Sequence, residues 1–255
     1  MKRSCLFLLS MVLLGTPVDP QAPKNASKAS NSAPQKPKSF IDRVLDFLSI
    51  SYTPGALKGP AGDPSNGQIW IASLTNNSAH SLTSSGNYRS PIFLPGSADI
   101  LALRGNDLVR IPSTGGEGTK LHSVEGILKL VGAGSSDSNQ VLALLRSEAG
   151  SHPRVAFLAV DTGAVTELPY DPSSSQDLQL VEDLQGWSRI SGESRIFVKR
   201  QTKEDLAGTL EWTDVFLIAH GQQPVDVSRC DGVNCGQPSL SQDGSLLVYV
   251  KEKLD

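Results

Sequence analysis

From Gly67 to the C-terminus, short apolar runs follow one another, each closed by Gly, Pro, Asp, Asn or Ser. Runs of this kind, rich in β-branched and aliphatic residues, read as strands, and the flanking residues supply the turns. Sixteen can be marked out, beginning at 68–74 and 79–83, including 185–190, and ending at 238–241 and 245–251. No second helix is expected among them. Strands this dense exclude a helical bundle, and the 23 Gly and 16 Pro agree. Apolar residues at 38% suffice for a core, while charged residues at 19% are too few for a solvated, unfolded chain. Sandwich, barrel and propeller remain.

Repetition decides among them. One hairpin type starts at Ile69, Leu108, Val155 and Val215, at intervals of 39, 47 and 60 residues. Propeller repeats run at about 40–50 residues. The last interval is long because 201–208 reads as an inserted loop. A second hairpin type alternates with the first, clearest at 238–250 and weaker at 91–103. The domain starts on outer-type strands (Ile69, Leu82) and finishes on inner-type strands (Leu240, Val248). The expected fold is therefore all-β: a small propeller of about four four-stranded blades, in which N- and C-terminal strands share one blade. Such closure removes exposed sheet edges. A ring completed by a partner is the other arrangement.

The N-terminal part is organised differently. Lys2 and Arg3 precede a ten-residue apolar run at 5–14. That length suits an export signal, assigned to 1–22, and is too short to span a membrane. Residues 23–38, rich in Pro, Ser, Ala and Lys, read as a disordered linker. At 39–50, Ser39 with Asp42 three residues on begins an amphipathic helix whose apolar side carries Phe40, Ile41, Val44, Leu45, Phe47 and Leu48. It is expected to dock on the β domain, 51–255.

The hairpin Pro238-Ser239-Leu240-Ser241-Gln242-Asp243-Gly244, followed by Leu247-Val248-Tyr249, resembles the WD40-like (PD40-type) repeat of TolB-like β-propellers of the bacterial cell envelope. Leu240 stands where that family usually has Trp, and Gln242 where it has Pro. The resemblance covers roughly residues 67 to 250 and implies a docking platform for proteins. Physically the motif is a turn: Gly244 supplies the positive φ of a tight hairpin, and Asp243 lacks the further oxygen ligands of a calcium site.

Chemistry-bearing residues are few. Cys230 and Cys235 are expected to form a disulfide once Cys5 leaves with the signal. Zinc would need four ligands, and only His220 lies near these two in sequence. There is no nucleophile elbow, phosphate-binding loop or His-Glu-x-x-His helix. No catalytic, cofactor-binding or metal-binding residue is therefore assigned. His80, His122, His152 and His220 read as solvated, and Trp70 and Trp187 as core. Trp212 is the ligand-contact candidate, beside an acidic group of Glu204, Asp205, Glu211 and Asp214. A formal net charge of −3 disfavours nucleic acid. The expected function is a non-catalytic, periplasmic or secreted propeller that binds a protein partner. A propeller binding sugar or another small ligand is the alternative, and a propeller hydrolase or lyase the third reading.

Overall fold

The computed structural model describes residues 37–48, 66–94, 97–134, 139–147, 152–185, 195–206, 208–218 and 222–252. The expected signal and most of the linker lie outside these residues.

The helix α1 (Phe40–Leu48) starts as its sequence dictates. Asp42 N donates to Ser39 Oγ at 3.1 Å, and the Asp42 carboxylate accepts from Ser39 N at 3.3 Å and Ser39 Oγ at 2.7 Å. This reciprocal box satisfies donors that the first helical turn leaves open. Phe40, Val44 and Leu48, one turn apart, are buried.

The strands follow the two hairpin types. An outer hairpin, β1 (Gln68–Ser73) and β2 (Ser78–Ser81), comes first. The first sheet is β3 (Tyr88–Phe93), β4 (Ile100–Arg104), β5 (Asp107–Ile111) and β6 (Thr119–Ser123). The second is β7 (Ile127–Ala133), β8 (Gln140–Leu145), β9 (Arg154–Ala159) and β10 (Val165–Glu167). After α2 (Ser175–Gln185), the third sheet has three described strands, β11 (Arg195–Asp205), β12 (Gly208–Ile218) and β13 (Val225–Asp226). The chain ends in β14 (Cys235–Leu240) and β15 (Leu246–Lys251), which join the opening hairpin in the order β14-β15-β1-β2. Ile69 pairs with Val250 and Ile71 with Val248. The two ends of the domain thus share one sheet, and the fold is a small four-bladed, propeller-like one.

The shared sheet is buried on both faces. Ile69, Ile71, Val248 and Val250 pack against Ile100, Ala102, Val109 and Ile111 of the first sheet. Ala72, Leu247 and Tyr249 pack against Ile196, Val198 and Val215 of the third. The first sheet's other face, with Leu101, Leu103 and Leu108, meets Leu130, Val141, Ala143 and Leu158 of the second. The second sheet's far face, bearing Val131, Leu142, Leu144 and Val155, packs against helices.

Those helices include one the strand rhythm concealed. α2 replaces the expectation of a single helix, and Gln185 of the expected strand 185–190 is its last residue; the rest of that strand lies outside the described residues. Leu180, Val181 and Leu184 are buried against the second sheet together with α1. An isolated amphipathic helix is marginal in water, so it is this packing that fixes both.

The first strands of three sheets, β3, β7 and β14, each carry a register shift. Beside the one in β3, Arg89 reaches across to the second sheet, donating to the carbonyls of Ile127 at 2.8 Å and Leu128 at 3.3 Å, and to Gly105 at 2.6 Å. The N-terminal ends of β3 and β7 therefore lie side by side. No helix among the described residues is long and apolar enough to cross a membrane.

Candidate functional site

Segment 201–208 is a projecting ribbon rather than an inserted loop. β11 and β12 stay paired in antiparallel register from Arg195↔Ile218 to Asp205↔Gly208. Among the described residues, β13 pairs with β12 at Phe216 and Leu217, and Val227 N donates to Val215 O at 3.0 Å. Polar residues on both sides of 201–205 hide a strand from any test of alternation. The ladder propagates outward because Phe197↔Phe216 and Val198↔Val215 already hold the register in the core. Leu206 at the turn is 110% exposed and Leu210 45%. The β11–β12 connection is the counterpart of the β4–β5 turn and the β8–β9 connection, so the ribbon leaves from the end of the sheets where β3 and β7 begin.

A polar knot and a disulfide brace the ribbon's root. Cys230 and Cys235 are bonded, with Cα atoms 6.3 Å apart, as expected from the sequence. Within that short loop, Gly232 lies at φ +95°, and a Cβ there would sit 3.1 Å from Leu210 Cδ2. Both the backbone angle and the close approach of the ribbon require glycine. Asn234 Oδ1 accepts from Thr213 N at 3.1 Å, while its Nδ2 donates to Glu252 Oε2 at 2.7 Å. The loop thereby ties the ribbon to the end of the closing strand β15.

Trp212 stands at this root, half-buried, and its Nε1 donates to Asp214 Oδ2 at 2.6 Å. Asp214 is 3% exposed, and its other oxygen accepts from Cys230 N at 2.8 Å and Ser228 Oγ at 3.1 Å. A buried carboxylate is tolerated only when its lone pairs are filled in this way. Nearby Asp226 accepts from the backbone N–H groups of Ser228 and Arg229, yet burial, the dominant cause, raises its pKa above the ordinary carboxylate value.

The acidic group drawn from sequence is not one cluster. Glu211 pairs with Arg200 at 3.3 Å on the ribbon surface, Glu204 is exposed further along, and Asp214 is buried at the root. Its role as a root anchor has no signal in its local sequence, because its partners Ser228 and Cys230 arrive from beyond the next turn. His80 is exposed on β2 and His152 half-buried. The His122 ring lies 2.8 Å from the carbonyl of Asp161, joining the first sheet to the β9–β10 turn rather than standing free in solvent. Trp70 is half-buried on β1 under the Lys251 ammonium, 4.7 Å from the ring. His220 and Trp187 lie outside the described residues, and among those described no three His, Cys, Asp or Glu side chains group as metal ligands would.

The Asp243–Gly244 hairpin is a turn, as expected. Asp243 accepts from Ser241 Oγ at 2.6 Å, Ser245 N at 3.1 Å and Ser245 Oγ at 2.7 Å, and Gly244 lies at φ 71°. These hydrogen bonds, that from Ser241 first, hold the carboxyl at a pKa of about 2.

No family model and no curated protein sequence matches the chain. Among solved structures, it is similar to the apo form of AtxE2 isopeptidase, with a TM-score of 0.29 and 15% identity, covering 68% of this chain and 28% of that one. An oligogalacturonate lyase in complex with manganese matches with a TM-score of 0.30 and 11% identity, covering 74% and 54%. The chain thus spans about a quarter of the first protein and about half of the second.

Proposed function

We propose that this chain is an exported, TolB-like, non-catalytic propeller that serves as a protein-interaction platform in the bacterial envelope, periplasmic or secreted. The observation that carries the reading is the braced ribbon. This two-stranded extension leaves Leu206 at its turn fully exposed and Leu210 45% exposed. Exposed apolar side chains on a projecting element suit contact with another protein. The disulfide and polar knot hold the root still, which lowers the ordering cost of binding. Trp212, half-buried at the same root, is the aromatic side chain this reading assigns to partner contact. Export is supported by the charged, apolar N-terminus and by the Cys230–Cys235 bond, a form that persists in oxidising compartments.

The test replaces 202–211 by Asn-Gly, which closes the ribbon on the Gln201↔Trp212 pair with a favoured hairpin turn. Both versions are immobilised against an envelope extract and, in parallel, applied to a glycan array. The reading expects a protein retained by the full chain and lost from the shortened one. Equal retention by both, or binding to glycans alone, overturns it and favours the small-ligand alternative.

A further inference from the structure

At the same end of the sheets, a cleft of about 480 Å³ opens between the first and second sheets. It is lined by Arg89, Asn106, Glu125, Ile127–Leu128, Arg146 and Arg154, with Gly126 and Ser147 filling the wall. Among the described residues, three guanidinium groups and one carboxylate line it, a positive balance in a chain that carries −3. That reversal of sign is local and comes from separate segments: β3, the start of β7, the end of β8 and the start of β9.

The three arginines are not equivalent. Arg89 spends its donors on the carbonyls of Gly105, Ile127 and Leu128, so it is a structural clamp that leaves its charge behind in the wall. Arg154 reaches Glu167 with one nitrogen and the Arg146 carbonyl with Nε at 3.2 Å. Arg146 is exposed, and its guanidinium has no acceptor among the described residues. The backbone of Arg146 is fixed by its N donating to Gly126 O at 2.7 Å. A planar fork fixed at its backbone, with the Arg89 guanidinium in the wall and Arg154 paired to Glu167 beside it, is a receptor for a planar oxyanion. The rim also presents Leu128, 39% exposed, directly beside these charges.

We infer that this cleft binds a carboxylate carried by an extended peptide, with Arg146 as the principal ligand, Arg154 and Arg89 as supporting charge, and Leu128 as the seat for a neighbouring apolar side chain. A peptide rather than a sugar fits, because among the described residues no aromatic ring lines the cleft on which a sugar could stack, whereas an apolar side chain has a place to sit. Glu125 at the rim sets the register by repelling a second acid placed against it. The site stands apart from the ribbon and does not require it.

A fluorescein-labelled octapeptide of alternating Glu and Leu, titrated into the full-length protein and followed by fluorescence polarisation, tests the inference against the same peptide with Gln in place of Glu. Saturable binding of the Glu peptide alone is expected, weakening as salt rises. Arg146→Gln should weaken it about tenfold or more, the scale of a lost charge-assisted hydrogen bond. Lys120→Gln, whose ammonium on β6 pairs with Asp107 of β5 outside the cleft lining, should leave it unchanged, and every variant should keep the parent's melting curve. The ribbon-shortened protein should bind as the parent does, which separates this site from the platform reading. Equal binding of the Gln peptide, an unaffected Arg146→Gln variant, or binding of an oligouronate with none of the peptide would falsify the inference.

Discussion

Ser90 N donates to Gln237 Oε1 at 2.5 Å, and the two residues are structural counterparts. Each is the third residue of the first strand of its sheet, each precedes a proline, and each takes a left-handed backbone angle, φ 51° and 50°. Such angles disfavour residues with a side chain, and persist where surrounding structure over-determines them. Here each kink helps hold the other across the boundary between two sheets.

Gln237→Ala should therefore destabilise the fold by about 1–3 kcal/mol, because it strips the acceptor from a part-buried N–H. Gln237→Gly removes the same acceptor but relaxes the backbone angle, and should lose less. Denaturant unfolding of both variants measures the difference; equal losses would deny any strain at this position.

Removing 246–255 deletes the strand that sits between β14 and β1. Leu247, Val248, Tyr249 and Val250 are each 0% exposed, and full burial of such side chains contributes about 1.5–3 kcal/mol apiece. The total rivals the usual stability of a domain, about 5–15 kcal/mol. The truncated protein should unfold or aggregate, although nothing near Gln68 in sequence has changed. A melting temperature equal to the parent's would show that β1 does not depend on β15.

Acid should loosen the fold in a defined window. Glu117 accepts from Ser84, Ser85 and Tyr88, and the Ser84 hydroxyl is the leading cause of its pKa falling from 4.5 to about 2. A carboxyl held below its unfolded value stabilises the fold above that value and ceases to as pH falls through the folded one. Stability should thus decline from about pH 4.5 to about pH 2, with Asp243 acting in the same direction. Asp226, raised by burial, opposes them, since protonation relieves it. Melting curves of Glu117→Gln should lie below the parent near pH 6 and converge with it near pH 2.

In a Cys5→Ser chain, thiol labelling under denaturing, unreduced conditions should find no free cysteine. Reduction should destabilise the protein by about 2 kcal/mol, as expected for a short closed loop. It should also speed hydrogen exchange at Thr213 N, whose acceptor Asn234 lies in that loop. Unchanged exchange there would mean that the loop does not brace the ribbon.

Much of the architecture was legible in the sequence because it rests on local rules. The outer hairpins at Ile69, Leu108, Val155 and Val215 became β1–β2, β5–β6, β9–β10 and β12–β13, since each carries alternating aliphatic residues and a turn. Ser39 and Asp42 announced α1. Ser174 and Asp177 hold the same spacing at the start of α2, with Asp177 N donating to Ser174 Oγ at 3.3 Å, yet Gln and Asp dilute the apolar stripe that follows. The ribbon was hidden for a different reason: its register is inherited from core pairs ten residues away. Asp214, Arg146 and the Ser90–Gln237 bond depend on neighbours distant in the chain, and no window along the sequence brings those together.

The pairing of Ile69 with Val250 also sets an order of events during synthesis. β1 waits for β15, so the opening hairpin holds an unfilled edge until residue 251 has been made. Contacts of such long sequence separation form slowly, and open strand edges invite association with other chains. An edge left open over so long a stretch of chain has to be kept from other strands until β15 arrives. The same pairing makes β15 a poor place for a bulky insertion, because it lies between β14 and β1 rather than at a sheet edge.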